Sequence, residues 1–386
     1  MSAGPRPGDG RPRPVVAGPV PPFRSGIADQ TARLARAFTA LGEPPLVVTF
    51  RRMYPRFLYP GSEERGEGPF PDGLEVRPLL SGLSPWSFRS AAREIAEAAP
   101  SAIFVAWWTS FFAPHVRLLL ARLEQQTKAP RILLCHNLVD HEGGRVRKAL
   151  SRGVLRAADA LAVQNAEAAE EARRLAPRAL VAVVPHPSEP PAHAVSRSAA
   201  RRALSLPEAA PLFLFTGLLR PYKGWDVLAE AFARLRVSRP DALLAFAGEP
   251  WGEARAFTER PPEGVLGDAA YLPAERRTLW LSAADAVVCP YRHATGSGIA
   301  ADALAYGRPV LGTRVPGLVD VIEDGVSGLL VPPEDPRALE AALSRFLEED
   351  LGSRLAEGAR AAHARFTPGA HARALLDLAS RVRVSR

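Results

Sequence analysis

The chain is 386 residues long, carries a formal net charge of +8 with a pI of about 10, and is 47% apolar. That length favours two domains over one, and that apolar share is ordinary for a globular protein. No run of 18 apolar residues offers a membrane span, and the opening MSAGPRPGDGRPRP lacks the apolar core of a secretory signal. Neither a metal-ligand spacing nor a nucleic-acid-binding module is present, so no metal and no nucleic acid is expected. Arginine supplies almost all of the positive charge; the lysines are Lys128, Lys148 and Lys223. Such basicity suits an anionic substrate or an anionic membrane surface. Cys135 and Cys289 both sit in apolar, strand-like runs, which reads as two inert buried thiols in a reducing, cytoplasmic compartment.

Residues 1–13 are Pro/Gly/Arg-rich and are expected to be disordered. A first strand over Val15–Gly18 leads through PPFRSGI into a helix whose Ile27, Thr31, Leu34, Phe38 and Leu41 share a face. Ser25 and Gly26 occupy the strand-to-helix loop, where glycine lets a ligand approach the backbone. Leu46–Phe50 is a second strand, 54–73 is irregular, and Ser90–Ala99 is a helix. The strand Ala102–Ala106 ends in Trp107-Trp108. Aromatic residues just past a strand's C-terminal end suit an acceptor platform, and they equally suit edge packing. Arg131–Cys135 is a strand that ends in His136. The segment that follows combines an apolar stripe of Val146, Leu150, Val154, Leu155 and Ala158 with Arg145, Arg147, Lys148, Arg152 and Arg156. A membrane-surface helix and a solvated basic face both fit it. Ala160–Val163 and Leu180–Val184 complete the first half, 14–185, and the Pro-rich segment 186–208 reads as a linker.

Short apolar runs alternating with helices restart at Pro211–Thr216, so both halves read as α/β. After this strand, GLLRPYKGW makes a tight loop with Gly217, Arg220, Lys223 and Gly224. A lysine in so arginine-rich a chain is not generic surface charge, and its compact ammonium reaches a phosphate where a guanidinium does not fit. Ala242–Ala247 is a further strand, and Val265–Leu272 leads to Tyr271 and Leu272 in a turn. The strand Ala286–Cys289 gives way to the loop Pro290–Ser297 and a small-residue helix from Gly298, followed by a strand over Pro309–Gly312. Thr295, Gly296, Ser297, Gly298 and Ile299 thus bring free backbone N–H groups and a positive helix end to one spot, an anion site. Asp302 lies one helical turn beyond it.

The stretches ADAVVCPY, ADALAYGRPVLGT and GVSGLLVPPEDPRALEAAL, together with the Lys223-Gly224 loop and PPFRSGI, resemble the retaining nucleotide-sugar glycosyltransferases of family 4, or group 1. The resemblance covers nearly the whole chain and is strongest over 212–343. It implies the GT-B fold: α/β, with two doubly wound Rossmann-like domains facing each other across a cleft. The second would span 209–366, and a C-terminal helix over 367–386 would cross back onto the first. It also implies a nucleoside-diphosphate-sugar donor and a glycan, lipid-linked or small-molecule acceptor, with transfer that retains configuration and needs no metal. By the same resemblance Lys223 and Arg220 hold the diphosphate, His136 lies near the donor sugar, Tyr271 and Leu272 cup the base, and Asp302 binds ribose hydroxyls. Two positions depart from the family pattern. Ala294 stands where the first of two glutamates is usual, and Leu218 replaces an arginine. These departures keep a non-catalytic sugar-nucleotide-binding subunit open, and a sugar-nucleotide epimerase of the same architecture is a third reading. A nicotinamide-dependent dehydrogenase is not expected, since the first loop has no G-x-G-x-x-G and no acidic residue is evidently poised for that cofactor's ribose.

Overall fold

A computed structural model describes residues 12–54, 65–139, 144–190, 195–294, 296–348 and 351–385. The expected tail 1–13 falls almost wholly outside these residues, as does part of the irregular 54–73 segment. The chain divides into two compact units: 1–187 with 368–386, and 188–367.

The first unit is built on seven parallel strands. In chain order they are β1 (Arg13–Ala17), β2 (Leu46–Arg52), β3 (Glu75–Ser81), β4 (Pro100–Trp107), β5 (Arg131–Cys135), β6 (Ala160–Val163) and β7 (Leu180–Val183), arranged β3-β2-β1-β4-β5-β6-β7. The central strands bury side chains on both faces, which is why they read as unbroken apolar runs. β3 escapes the sequence pattern: EVRPLLS carries Pro78, and only its position at the sheet edge, paired with β2 alone, tolerates the missing N–H. Helix α1 (Gly26–Ala40) starts at Ser25, whose hydroxyl accepts from Ala28 N at 3.1 Å. Helix α2 (Pro85–Glu97) begins five residues earlier than its periodicity suggests, because Pro85 is pre-set for a first helical turn. Helices α3 (Ala113–Gln126) and α4 (Arg145–Leu155) follow, with α2 against α3 and α3 against α4. The last helix, Pro368–Val384, buries Ala372, Leu375, Leu378, Ala379 and Val382 against Leu34 and Phe38 of α1 and the sheet.

The second unit has six parallel strands, β8 (Leu212–Thr216), β9 (Leu243–Ala247), β10 (Val265–Asp268), β11 (Ala286–Cys289), β12 (Val310–Thr313) and β13 (Gly328–Val331), in the order β10-β9-β8-β11-β12-β13. In both sheets the strand order reverses beside the first strand, between β1 and β4 and between β8 and β11. Ligands of doubly wound folds bind at such reversals, outside the strands' C-terminal ends.

The linker reading of 186–208 needs correction. Residues Arg197–Ala203 form a helix of the second unit, and Arg201 is fully buried. Its guanidinium donates to Asp285 at 2.8 Å and to the Ala283, Pro207, Glu208 and Ala210 carbonyls. The polar composition that suggested a linker hides a buried charge, two of whose partners, Ala283 and Asp285, lie far along the chain.

Candidate active site

At the reversal of the second sheet, β8 ends in Thr216 and the chain turns at Gly217, with φ +94°. A side chain there would be strained, and its Cβ would stand 3.1 Å from Lys223 Nζ and 3.5 Å from Ile299 Cδ1. Gly217 therefore marks where the loop after β8 meets the loop and helix after β11. The second glycine of the motif, Gly224, has φ +64° and lies between the short turn Pro221–Lys223 and helix Trp225–Ser238. A Cβ on it would overlap the Pro290 carbonyl at 2.0 Å. Together these glycines let the two crossovers touch backbone to backbone.

Lys223 projects into this junction. Its ammonium lies 5.6 Å from the Tyr291 ring centroid, and burial lowers its pKa to about 8, with Arg220 acting in the same direction and Cys289 opposing. Among the described residues no carboxylate pairs with it. The nearby Asp226 is taken up by Arg292, which clasps it through contacts of 2.8 and 2.7 Å while also bonding Glu334. Arg220 lies with its guanidinium carbon 4.1 Å from the Trp251 ring centroid, and its Nε is buried without a hydrogen-bond partner. The Trp251 loop is zipped to the lysine loop: Leu219 N donates to the Glu249 carbonyl at 2.9 Å, and Trp251 N to the Leu219 carbonyl at 3.2 Å.

Across the junction, Ser297 caps helix Gly298–Ala305, its Oγ accepting from Ala300 N at 3.1 Å. Gly317 seats the loop below, donating to the Ala294 carbonyl at 2.8 Å and packing against Gly296. Gly298 and Ile299 form the first turn, and Asp302 is buried in the second. Thr295 lies outside the described residues. Burial drives the Tyr291 hydroxyl well above its usual pKa, and its bond to Ser297 works against that shift. Cys289 is likewise pushed up to about 11 by burial, so neither group supplies an anion to Lys223 at neutral pH. Leu272 is buried and Tyr271 is 48% exposed, both in the turn between β10 and helix Ala274–Ala283.

The first unit brings together a different set. His136, at the tip of β5, stacks on His186 with ring centroids 5.9 Å apart and lies 3.4 Å from the Gln164 amide. His186 bonds Gln30, and His371 of the last helix bonds the Pro185 carbonyl at 2.8 Å. These side chains line a cavity of about 30 Å³, room for about one water. Burial, and then the charge of His371, lowers His136 to about 4; burial lowers His371 to about 4 and carries His186 in the same direction. His136, expected near the donor sugar, thus belongs to a neutral cluster of three histidines. The aromatic platform needs correction too. Trp107 is 1% exposed, donates to the Leu138 carbonyl and belongs to the core. Trp108 donates to Tyr54 at 2.9 Å and packs on Phe112. Both rings fill the edge of the unit, since the apolar neighbours Phe50, Phe111 and Phe112 converge there. Ser25 serves as a helix cap, and a Cβ on Gly26 would meet no atom within 4 Å.

Residues 210–349 match the family described as glycosyl transferases group 1, and residues 25–187 match the glycosyl transferase 4-like domain. The chain belongs to the group 1 glycosyltransferases. Similarity to this family's curated members includes D-inositol 3-phosphate glycosyltransferase of Xylanimonas cellulosilytica, 37% identical over 242 residues, 58% of this chain and 57% of that protein. The enzyme of the same name from a Nocardioides species is 35% identical over 48% of this chain and 45% of its own. The chain thus spans about half the length of the curated relatives it matches. Among solved structures, sucrose-phosphate synthase from Thermosynechococcus elongatus superposes with a TM-score of 0.74 at 19% identity, covering 97% of this group 1 chain and all of the other. Anabaena HepE in complex with UDP gives 0.72 at 14% identity, over 96% of this chain and all of that one. The GT-B fold is therefore established on topology and on these likenesses.

Trp251, Tyr291 and Arg292 are site residues that the sequence reading missed. Trp251 lies past the tip of β9 as Trp108 lies past the tip of β4, so the same positional signal marked it; the signal alone does not tell a platform from an edge-packing residue.

Proposed function

We propose that the chain transfers a sugar from a nucleoside-diphosphate sugar to an acceptor hydroxyl, with retention and without a metal ion. The observation that carries this reading is the desolvated Lys223 ammonium at Gly217, which has no paired carboxylate among the described residues and faces the start of helix Gly298–Ala305. A cation withdrawn from water in this way is costly unless an anion joins it. A diphosphate fits, with one end on Lys223 and Arg220 and the other on the free N–H groups of the helix start.

In the transfer, the bond between the anomeric carbon and the diphosphate oxygen breaks and its electrons pass to the diphosphate. The acceptor oxygen bonds the same face of the sugar, and its proton passes to the departing phosphate. Lys223 and Arg220 gain interaction as that charge develops; one fixed donor of this kind is typically worth about 3–4 kcal/mol of barrier. Asp302 is proposed to accept from ribose hydroxyls, and Tyr271 and Leu272 to flank the base. The relatives' name makes a phosphorylated inositol the first acceptor to try, followed by glycans and lipid-linked sugars.

Ala294 favours one second reading, a subunit that binds sugar nucleotides without turning them over. A panel of UDP-, ADP- and GDP-sugars with these acceptors, run with and without EDTA, separates the cases. The expected product keeps the donor's anomeric configuration, read from its proton coupling by NMR, at a rate insensitive to EDTA. An inverted linkage refutes retention, and loss of rate under EDTA refutes metal independence. Tight diphosphate binding with no turnover of any donor establishes the second reading, and epimerised donor without acceptor establishes the third.

A further inference from the structure

In the first unit, α2, α3 and α4 lie side by side, and each starts just past the C-terminal end of a strand in a parallel sheet. Their N-termini therefore share one rim. Along α2 the acids Glu94 and Glu97 come only in the last turn, α3 holds its one acid, Glu124, near its end, and α4 has none. The first halves of these helices carry cations instead, and α4 adds Arg152 in its last turn. Arg89, Arg117, Arg145, Arg147, Lys148 and Arg152 are all exposed, and none of them forms an ion pair among the described residues. The positive ends of three helix dipoles add to the same rim.

The same rim exposes apolar side chains that a solvated face would not retain. Val146 is 73% exposed and Leu150 lies one turn further along the same side of α4. At the start of α2, Trp86 is 69% exposed, with Leu83 exposed beside it. The inner side of α4 is already occupied, with Ser151, Val154 and Leu155 buried. α4 thus has two apolar faces, one packed and one bare, and within α4 the charged residues beside the bare one are all cations. An interfacial helix has this make-up: apolar side chains to enter the acyl boundary, cations for anionic headgroups, and a tryptophan at headgroup depth. A nucleic-acid surface would use the cations but leave Val146 and Leu150 without a role.

We propose that this rim docks the protein on a bilayer surface containing anionic lipid, with the exposed side of α4 seated at the headgroup boundary. This inference does not depend on the transfer chemistry. It is tested by co-sedimenting the full chain with vesicles of phosphatidylcholine alone and of phosphatidylcholine mixed with phosphatidylglycerol. The expected result is binding to the mixed vesicles only, weakened by salt. Replacing Arg145, Arg147 and Lys148 together by Ser should lower the partition coefficient on the order of 100-fold. Val146→Ser with Leu150→Ser should lower it roughly tenfold while keeping the salt dependence. Arg354→Ser with Arg381→Ser, exposed cations elsewhere, should leave it unchanged. All the substituted side chains are exposed, and circular dichroism checks that each variant is folded. Equal binding to both vesicle types, or wild-type partitioning of the Val146/Leu150 variant, overturns the proposal. So does displacement from the mixed vesicles by an oligonucleotide at matched phosphate concentration, which reassigns the rim to nucleic acid.

Discussion

Lys223 lies in the loop after β8, at the reversal of the second sheet, and His136 lies at the tip of β5, one strand past the reversal of the first. Both are drawn out of water, and burial lowers both pKa values. The outcomes differ because the starting points differ. From 10.5, Lys223 falls to about 8 and stays mostly charged at neutral pH; from 6.5, His136 falls to about 4 and is neutral. Similar desolvation therefore yields a cation in one unit and a hydrogen-bonding, uncharged cluster in the other. On the proposed reading a diphosphate would find its partner in the second unit, whereas the first offers polar groups that discriminate by geometry rather than by charge.

The sharpest way to break this contrast is to remove each group in turn. Lys223→Ala should cut turnover by about 10²–10³-fold, with the melting temperature unchanged or raised because a desolvated charge is gone. His136→Ala should leave inorganic pyrophosphate affinity, read by calorimetry, at its wild-type value. If the two variants lose pyrophosphate equally, the division of roles is wrong.

Acid comes next in size. A histidine at about 4 in the folded chain and 6.5 unfolded binds fewer protons when folded between those values. Stability is then complete above the unfolded value and is lost as pH falls towards the folded one, by about 3 kcal/mol for such a shift. His371→Leu should flatten the fall between pH 7.5 and pH 4.5 in urea titrations, since it removes one of the neutral rings. Parallel curves for variant and wild type would refute the neutral cluster.

Alkali probes the other group. Pyrophosphate affinity should be level below pH 8 and decline above it, by up to about tenfold per pH unit as Lys223 loses its proton. A profile that stays level to pH 9.5 would place the ammonium away from the anion. Smallest of all is the platform under Arg220. Trp251→Ala should weaken pyrophosphate binding about fivefold, the scale of one cation–π contact, and should have no effect when Arg220 is already Ala. An undiminished loss in that background would mean that Trp251 acts by another route.

The two units were not equally legible. Strands β5, β6 and β11 carry the bounds their apolar runs suggest, and Gly217, Lys223 and Gly224 stand out because a tight loop needs those residue types. β3 stayed hidden behind Pro78, α3 behind its mixed pattern, and the helix Arg197–Ala203 behind polar composition. Trp107 and Trp108 show the limit most clearly. A ring at a strand tip has the same sequence signature whether it faces a ligand or, as here, the core formed with Phe50 and Phe112.

The sequence by itself determined the alternation of apolar strands and helices, the glycine positions with left-handed backbone, and the presence of a lone lysine in a phosphate-type loop. These are properties of a few consecutive residues, set by sterics and short-range periodicity. Only the tertiary structure decided which charges are matched and which are bare: Asp226 by Arg292, Arg201 by Asp285, and Lys223 by no carboxylate among the described residues. Desolvation depends on every atom that closes around a group, and those atoms come from segments tens of residues apart in the chain.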